Sequence, residues 1–285
     1  MREIAYSTPL VPRQVRIELT SKCNAHCLPC HRNLMKRAPE HMLFSLLEKC
    51  LEDIRAFPEP LLELVPTGWG ELFLYPRWLD ALELISQKLP GTRIVLPTNG
   101  TLLGDGSIEH LARIPTLRLV NFSVNAFFPE TYTAFHKLPA SKLELIEFAA
   151  RRLKELRPDI VMWFSMVRSS EFQSPLEAEL FREKWSKYGV PQFSQAEYAG
   201  NPEHRPIVPV LLPCRSLFSD LVILYDGQGL SCCYVAEPDP ELVVGDARED
   251  SLLNIWNSKR FSELRRVHNE GGRANLGFCS SCTFA

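Results

Sequence analysis

Val15-Arg16-Ile17-Glu18-Leu19, running directly into Thr20-Ser21-Lys22-Cys23-Asn24-Ala25-His26-Cys27-Leu28-Pro29-Cys30, is the stretch on which the fold turns. The first five residues alternate with the period of two that places every second side chain on one face of a strand. The polar, cysteine-bearing run after them cannot extend that strand, so it reads as a loop at the strand's C-terminal end. Outward from this unit the chain repeats the same alternation. A helix is expected over 44–57, with Leu47, Leu51 and Ile54 on one face and Ser45 and Glu48 spaced as a capping box. Strands are expected at 61–65, 93–96, 117–124, 160–166 and 192–194, and helices at 78–89, 107–113, 129–137, 141–156 and 175–188. Regular βα alternation predicts an α/β fold with a parallel sheet and helices outside it. Six units predict a partial (βα)6 TIM-like barrel, whose strand ends and following loops carry the chemistry.

The character changes near residue 200. Gly200-Asn201-Pro202-Glu203-His204-Arg205-Pro206 is rich in turn formers and reads as a linker. A hairpin over 221–233, a turn-rich stretch over 236–250, one helix over 251–268 and a cysteine-bearing tail are expected after it. Two domains follow, a core barrel over 1–200 and a small C-terminal domain, a β-hairpin plus helix, over 201–285.

Bulk properties narrow the function. The 285 residues are 45% hydrophobic and carry a formal net charge of −2 with no basic run, which disfavours nucleic acid and anionic membrane as partners. No apolar stretch approaches the roughly 20 residues of a membrane span, and Met1 to Tyr6 lack the apolar segment of a signal peptide, so a cytoplasmic protein is expected. The nine cysteines cluster: three at 23–30, one at 50 and five at 214–282. Disulfide scaffolds are mostly short secreted chains. Two separated groups in a long chain without an export signal read instead as two metal sites.

Cys23, Cys27 and Cys30 follow the first strand with the spacing C-x3-C-x2-C. Three thiolates on one loop can hold three irons of a 4Fe–4S cluster and leave the fourth without a protein ligand, open to a cofactor. Zinc is the competing reading, with His26 or His31 as fourth ligand.

The sequence resembles the radical S-adenosylmethionine (SAM) superfamily, whose hallmark is this spacing on the loop after the first strand. Gly68-Trp69-Gly70-Glu71 follows the second strand and resembles the Gly-Gly-Glu motif, whose backbone meets the amino group of SAM; Leu72 stands where proline usually follows. Pro97-Thr98-Asn99-Gly100 resembles the family's Thr-Asn-Gly stretch. Asn121 to Ala126 resembles the segment whose polar residues, here Ser123 and Asn125, reach the ribose. Arg168, just past the fifth strand, stands where some members bind the SAM carboxylate. Pro29 replaces an aromatic residue common before the third cysteine. The likeness covers about residues 13–195.

Cys214, the Gly227 to Cys232 spacing and Cys279-Ser280-Ser281-Cys282 resemble the C-terminal auxiliary-cluster domains called SPASM or, in shortened one-cluster form, twitch. The chain ends three residues after Cys282, which points to the twitch type. Cys214, Cys232, Cys279 and Cys282 would close every iron of a second 4Fe–4S cluster and leave it an electron relay; structural zinc on the same four is the alternative. Cys233, left over, is either a small buried residue, an alternative ligand, or a catalytic hydrogen-atom donor to a substrate radical. Cys50 is expected in the core.

Of the remaining residues, His136 and His268 are expected at the surface of amphipathic helices, and the charged 147–157 stretch as an exposed helix face. Trp163 and Phe164 must point to opposite sides of their strand, one of them into the barrel lumen. Glu197, Tyr198 and His204 lie at the seam between the domains, where pockets favour substrate.

The resemblance implies an enzyme in which an external electron, from a donor such as flavodoxin or ferredoxin, reduces the first cluster. SAM is cleaved to a 5′-deoxyadenosyl radical, which abstracts a hydrogen atom from a small-molecule substrate. Electron uptake by the second cluster would make the reaction an oxidation, such as dehydrogenation of a sugar or cyclitol alcohol. Return of a hydrogen atom from Cys233 would make it a redox-neutral epimerisation. A peptide substrate is the third reading; only 22 residues precede Cys23, too few for a peptide-recognition domain of about 80 residues. A zinc or electron-carrier protein is the non-enzymatic alternative.

Overall fold

Val15, Ile17 and Leu19 are fully buried against the helices, while Gln14 and Arg16 turn to the other side of strand β1 (Gln14–Ile17), as the period of two requires. The computed structural model describes residues 5–28, 30–168, 173–195 and 212–282. The βα series runs α1 (Phe44–Arg55), β2 (Glu63–Val65), α2 (Trp78–Lys88), β3 (Arg93–Thr98), α3 (Asp105–Ala112), β4 (Leu117–Ser123), α4 (Pro129–His136), α5 (Lys142–Leu156), β5 (Val161–Arg168), α6 (Pro175–Trp185) and β6 (Val190–Gln195). Each expected unit is present, with ends displaced by up to three residues. The helix α1 stops short of 57 because Phe57 precedes Pro58, and a residue before proline is pushed out of the helical region. Its N-cap is Leu43, with no side-chain cap, so Ser45 lies inside the first turn and the expected capping box does not form.

After the core series come β7 (Asp220–Ile223), β8 (Gln228–Leu230), β9 (Val243–Asp246), α7 (Leu252–Trp256) and α8 (Lys259–Asn269). Three expectations change here. The hairpin has a third strand, β9, in the stretch read as turns. The single helix over 251–268 is two, because Ser258 caps the second by accepting from Phe261 N at 3.2 Å while Ser251 caps the first. And the C-terminal part is not set apart from the barrel sheet. The strand order is β6-β5-β4-β3-β2-β1-β7-β8-β9, with β7 parallel to β1 in the register Gln14↔Asp220 through Ile17↔Ile223. The antiparallel pairings are β7–β8 and β8–β9, so among the described strands β8 runs against the rest. Gly227, at φ +95°, makes the turn between β7 and β8, a conformation open to glycine without cost. The expected domain boundary at 200 lies outside the described residues.

Among the described residues the sheet is open, since its end strands β6 and β9 do not pair. Its convex face packs on the helices through Phe122, Phe164 and Trp185, stacked at 5.3 and 4.5 Å between ring centroids. Trp163 points the other way, 37% exposed. Cys50 is fully buried in the core, as expected.

Candidate active site and metal centres

The first cysteine loop is held at both ends. Ser21 N donates to Glu40 O at 3.0 Å where the loop leaves β1. His26 N and Leu28 N donate to His136 O and Phe135 O, each at 3.0 Å, and so bind the middle of the loop to the C-terminal end of α4. Cys30 N closes a turn onto Cys27 O at 3.1 Å. The three thiols lie within electrostatic reach of one another. Burial pushes each pKa up, and Cys23 and Cys30 push Cys27 further, while the Arg32 guanidinium pulls all three down. A metal ligand must be a thiolate, so Arg32, fixed by Nε to Ser21 O at 3.0 Å, is the charge that favours ligation here.

His136 is fully buried, contrary to expectation. Its Nδ1 lies 3.1 Å from Cys27 Sγ and its Nε2 2.9 Å from Val124 O. Tyr132 and His136 are four residues apart on one face of α4, so the histidine prolongs the buried face. Neither histidine weighed as a zinc ligand is held toward the thiols. His26 is exposed, and His31 bonds Tyr234 O through Nδ1 at 2.7 Å and stacks on Trp69.

The glycines of Gly68-Trp69-Gly70-Glu71 are required by the protein itself. A Cβ on Gly70 would sit 2.2 Å from Thr20 O, and one on Gly68 2.6 Å from the Glu18 side chain. The loop is therefore pressed against the end of β1. Glu71 N donates to Lys22 O at 2.9 Å, and its buried carboxylate accepts from Thr98 Oγ1 and Asn99 N, both at 2.8 Å. Burial raises the Glu71 pKa to about 7 against those bonds. Asn99 Nδ2 donates to Asn24 Oδ1 at 2.9 Å, and Thr101 Oγ1 donates to Asn99 Oδ1, so the third strand's end is tied into the cysteine loop. Ser123 closes β4 opposite Ser165. Asn125, two residues on, adopts φ +60°, a left-handed conformation that asparagine tolerates, and its Oδ1 accepts from Val167 N at 2.8 Å. Arg168 is the last residue of β5 rather than past it. Gly68, Gly70, Glu71, Asn99, Ser123, Asn125 and Arg168 thus stand at successive strand ends on one rim. Pro29, Glu197, Tyr198 and His204 lie outside the described residues.

In the C-terminal part, Cys232 feels first the charge of adjacent Cys233 and then those of Cys214 and Cys279, and Cys279 those of Cys282 and Cys214. Burial raises Cys214, Cys232 and Cys279, the last to about 12. Buried Arg273 opposes this at Cys214 and Cys279 and anchors the set by donating to Leu212 O at 2.7 Å and Cys282 O at 3.3 Å. His268, expected at the surface, is fully buried and accepts Cys214 N–H at Nδ1, 3.2 Å away. Cys233 is turned from this group toward Arg16, Asp220 and Ser216, whose Oγ is 4.0 Å from its sulfur. Among the described residues no three His, Cys, Asp or Glu side chains form a ready-made single-ion cage. The thiols of each set nonetheless lie close enough to perturb one another, and two sets of sulfur donors beside guanidinium groups, half-buried Arg32 and buried Arg273, fit iron–sulfur clusters.

The two sets are joined by a bridge that sequence reading missed. Trp69 Nε1 donates to Val235 O at 3.0 Å, Arg37 Nε to Ala236 O at 3.1 Å, and Arg37 pairs with buried Glu18 at 2.9 Å. With His31 on Tyr234 O, the segment after Cys233 is clamped onto the cysteine loop and the glycine loop together.

Comparison with known proteins decides the family. Residues 17–167, more than half of the chain, match the family model of the radical SAM superfamily. The chain belongs to that superfamily. Residues 214–283 of this radical SAM enzyme match a second model, SPASM, an iron–sulfur cluster-binding domain. Membership implies a 4Fe–4S cluster and SAM in the first region and further iron–sulfur in the second. The chain is similar to the tungsten-containing aldehyde ferredoxin oxidoreductase cofactor-modifying protein of Pyrococcus furiosus, 25% identical over 88% of this chain and 82% of that one. Its fold is similar to that of BtrN in complex with AdoMet and 2-DOIA, with a TM-score of 0.68 and 16% identity over 98% and 94% of the two chains. It is also similar to anSMEcpe with bound AdoMet, with a TM-score of 0.71 and 15% identity over 90% and 83%. None of the described helices is long and apolar enough to cross a membrane.

Proposed function

We propose that this radical SAM enzyme oxidises a small molecule, removing one hydrogen atom from an alcohol carbon, one proton from its hydroxyl and one electron from the radical that results. Cys23, Cys27 and Cys30 would hold the first cluster, and the rim from Gly68 to Arg168 would hold SAM; when bound, these supply hydrogen-atom abstraction. Cys214, Cys232, Cys279 and Cys282 would hold the auxiliary cluster, which accepts an electron. The observation that carries the reading is the orientation of Cys233. Cys233 feels Arg16 and Asp220 and lies 4.0 Å from Ser216 Oγ, while Cys232 feels Cys214 and Cys279 as well as its neighbour Cys233, which supports an auxiliary set of four sulfurs without Cys233. The chain's own part is positioning: Arg32 and Arg273 favour the thiolate forms, and the Trp69–Val235 clamp fixes one site against the other. A flavodoxin- or ferredoxin-type electron donor and a cytoplasmic location fit nine cysteines that are all free.

A second reading, redox-neutral epimerisation, is favoured by the same orientation, because Cys233 is then a thiol on the substrate side. One assay separates the two. The anaerobically reconstituted protein is incubated with SAM, dithionite and candidate alcohols, sugars and peptides in heavy water. A new carbonyl with no deuterium at the substrate carbon is expected; deuterium at that carbon, abolished in Cys233→Ala, would replace oxidation by epimerisation.

A further inference from the structure

The concave face of β1 carries two charges of opposite kind and treats them differently. Glu18 is fully buried and matched, by Arg37 and by the N–H groups of Trp69 and Tyr225. Arg16, two residues earlier on the same face, is not. Its only hydrogen bond among the described residues runs from one terminal nitrogen to Thr67 O at 3.2 Å, its Nε is buried without an acceptor, and no carboxylate is within ion-pair reach. The Thr67 hydroxyl, 4% exposed, is likewise buried without a partner. Arg16 as a whole is half-buried, but a guanidinium remains charged at any ordinary pH, and a buried Nε edge without an acceptor is unfavourable. Two adjoining polar groups with unused capacity, one always cationic, make a receptor for an anion. The same guanidinium lies within electrostatic reach of the Cys233 thiol, as does the Asp220 carboxylate.

We propose that Arg16 and Thr67 bind a carboxylate or phosphate group of the substrate, which is therefore an organic anion rather than a neutral sugar. The inference rests on the reading proposed above, in which Cys233 lies on the substrate side. The same chemistry could come from the carboxylate of SAM, and the test separates the two sources.

With both clusters loaded, Cys233 and buried Cys50 are the thiols outside the ligand sets, so Cys233 is an internal reporter. Holoprotein is treated with iodoacetate, an anion, or iodoacetamide, its neutral counterpart, and labelling at Cys233 is read by peptide mass spectrometry. The ratio of the two rates is expected to fall about tenfold in Arg16→Met, the scale on which a local charge enriches a counter-ion. Inorganic phosphate is expected to slow iodoacetate in the wild type and not in the variant. Arg16→Lys should keep most of the preference, and Thr67→Val should weaken phosphate protection; these two carry the test if Arg16→Met loses iron. An unchanged ratio overturns the proposal, as does failure of either reagent to reach Cys233. A tenfold weaker SAM affinity by calorimetry with an unchanged ratio would assign Arg16 to SAM instead. Labelling needs no turnover, so the result stands apart from the oxidation reading, which is judged by SAM cleavage and product.

Discussion

Nδ1 of His136 lies 3.1 Å from the sulfur of Cys27, and the opposite ring nitrogen lies 2.9 Å from Val124 O. The carbonyl can only accept, so Nε2 carries the proton and Nδ1 offers a lone pair to the Cys27 thiol. Burial supports this neutral ring by holding the His136 pKa down at about 4. Replacing the ring with an apolar group leaves two buried partners unsatisfied. His136→Leu is expected to destabilise the cluster-free chain by about 2 kcal/mol. Thermal unfolding of the cluster-free protein checks this; an unchanged midpoint would show the contact to be idle.

The adjacent cysteines 232 and 233 face different neighbours, so their substitutions should differ in kind. Cys232→Ser is expected to lose the auxiliary iron, and Cys233→Ser to keep it. Iron and sulfide analysis of the two proteins, with electron paramagnetic resonance of the reduced samples, reads this directly. Equal iron loss would make Cys233 a ligand.

Gly70 is expected to tolerate no side chain, because its Cβ would lie 2.2 Å from Thr20 O, while Gly91 has nothing within 4 Å of the same position. Gly70→Ala should cost about 3 kcal/mol or more, in the range of severe backbone strain, or displace the loop and abolish SAM binding. Gly91→Ala should change stability by less than about 1 kcal/mol. Denaturant melts and SAM calorimetry on both variants make the comparison.

Glu71 gives a pH dependence whose sign is fixed. Its pKa is about 7 in the fold against 4.5 unperturbed, so between those values the folded chain binds more protons than the unfolded one. Stability from this group is greatest below about pH 4.5 and falls as pH rises to about 7, by about 3 kcal/mol in all. Glu71→Gln keeps a carbonyl acceptor for Asn99 N, turns its NH2 toward the Thr98 hydroxyl, which can accept, and has no proton to lose in this range. Relative to wild type, the variant should gain stability steadily from pH 5 to pH 7.5 in urea melts; parallel profiles would remove burial as the cause.

Much of the barrel was legible because its signals are local. Val15, Ile17 and Leu19 alternate, the α1 and α2 stripes repeat with helical spacing, and the motifs fall at strand ends in order. What escaped was non-local. Nothing near Asp220 announces that it pairs with Gln14, and a strand's partner is chosen by the whole sheet. The two histidines were misplaced because a titratable side chain was weighed by type rather than by position. Phe261, Leu264, Arg265 and His268 fall at i, i+3, i+4 and i+7, and all four are buried. Applied to α4, the same spacing would have found His136. Arg16 carries no such signal in the sequence, since a charged residue in a strand ordinarily marks a solvated face.

The parallel pairing of β7 with β1 makes the N-terminal strand an interior one, flanked on both sides. A fragment cut before residue 212 would strip one flank and present the amide and carbonyl row of Gln14–Ile17 to solvent. An unprotected row of that kind recruits other copies. The catalytic half, expressed by itself, should therefore self-associate instead of behaving as an independent module.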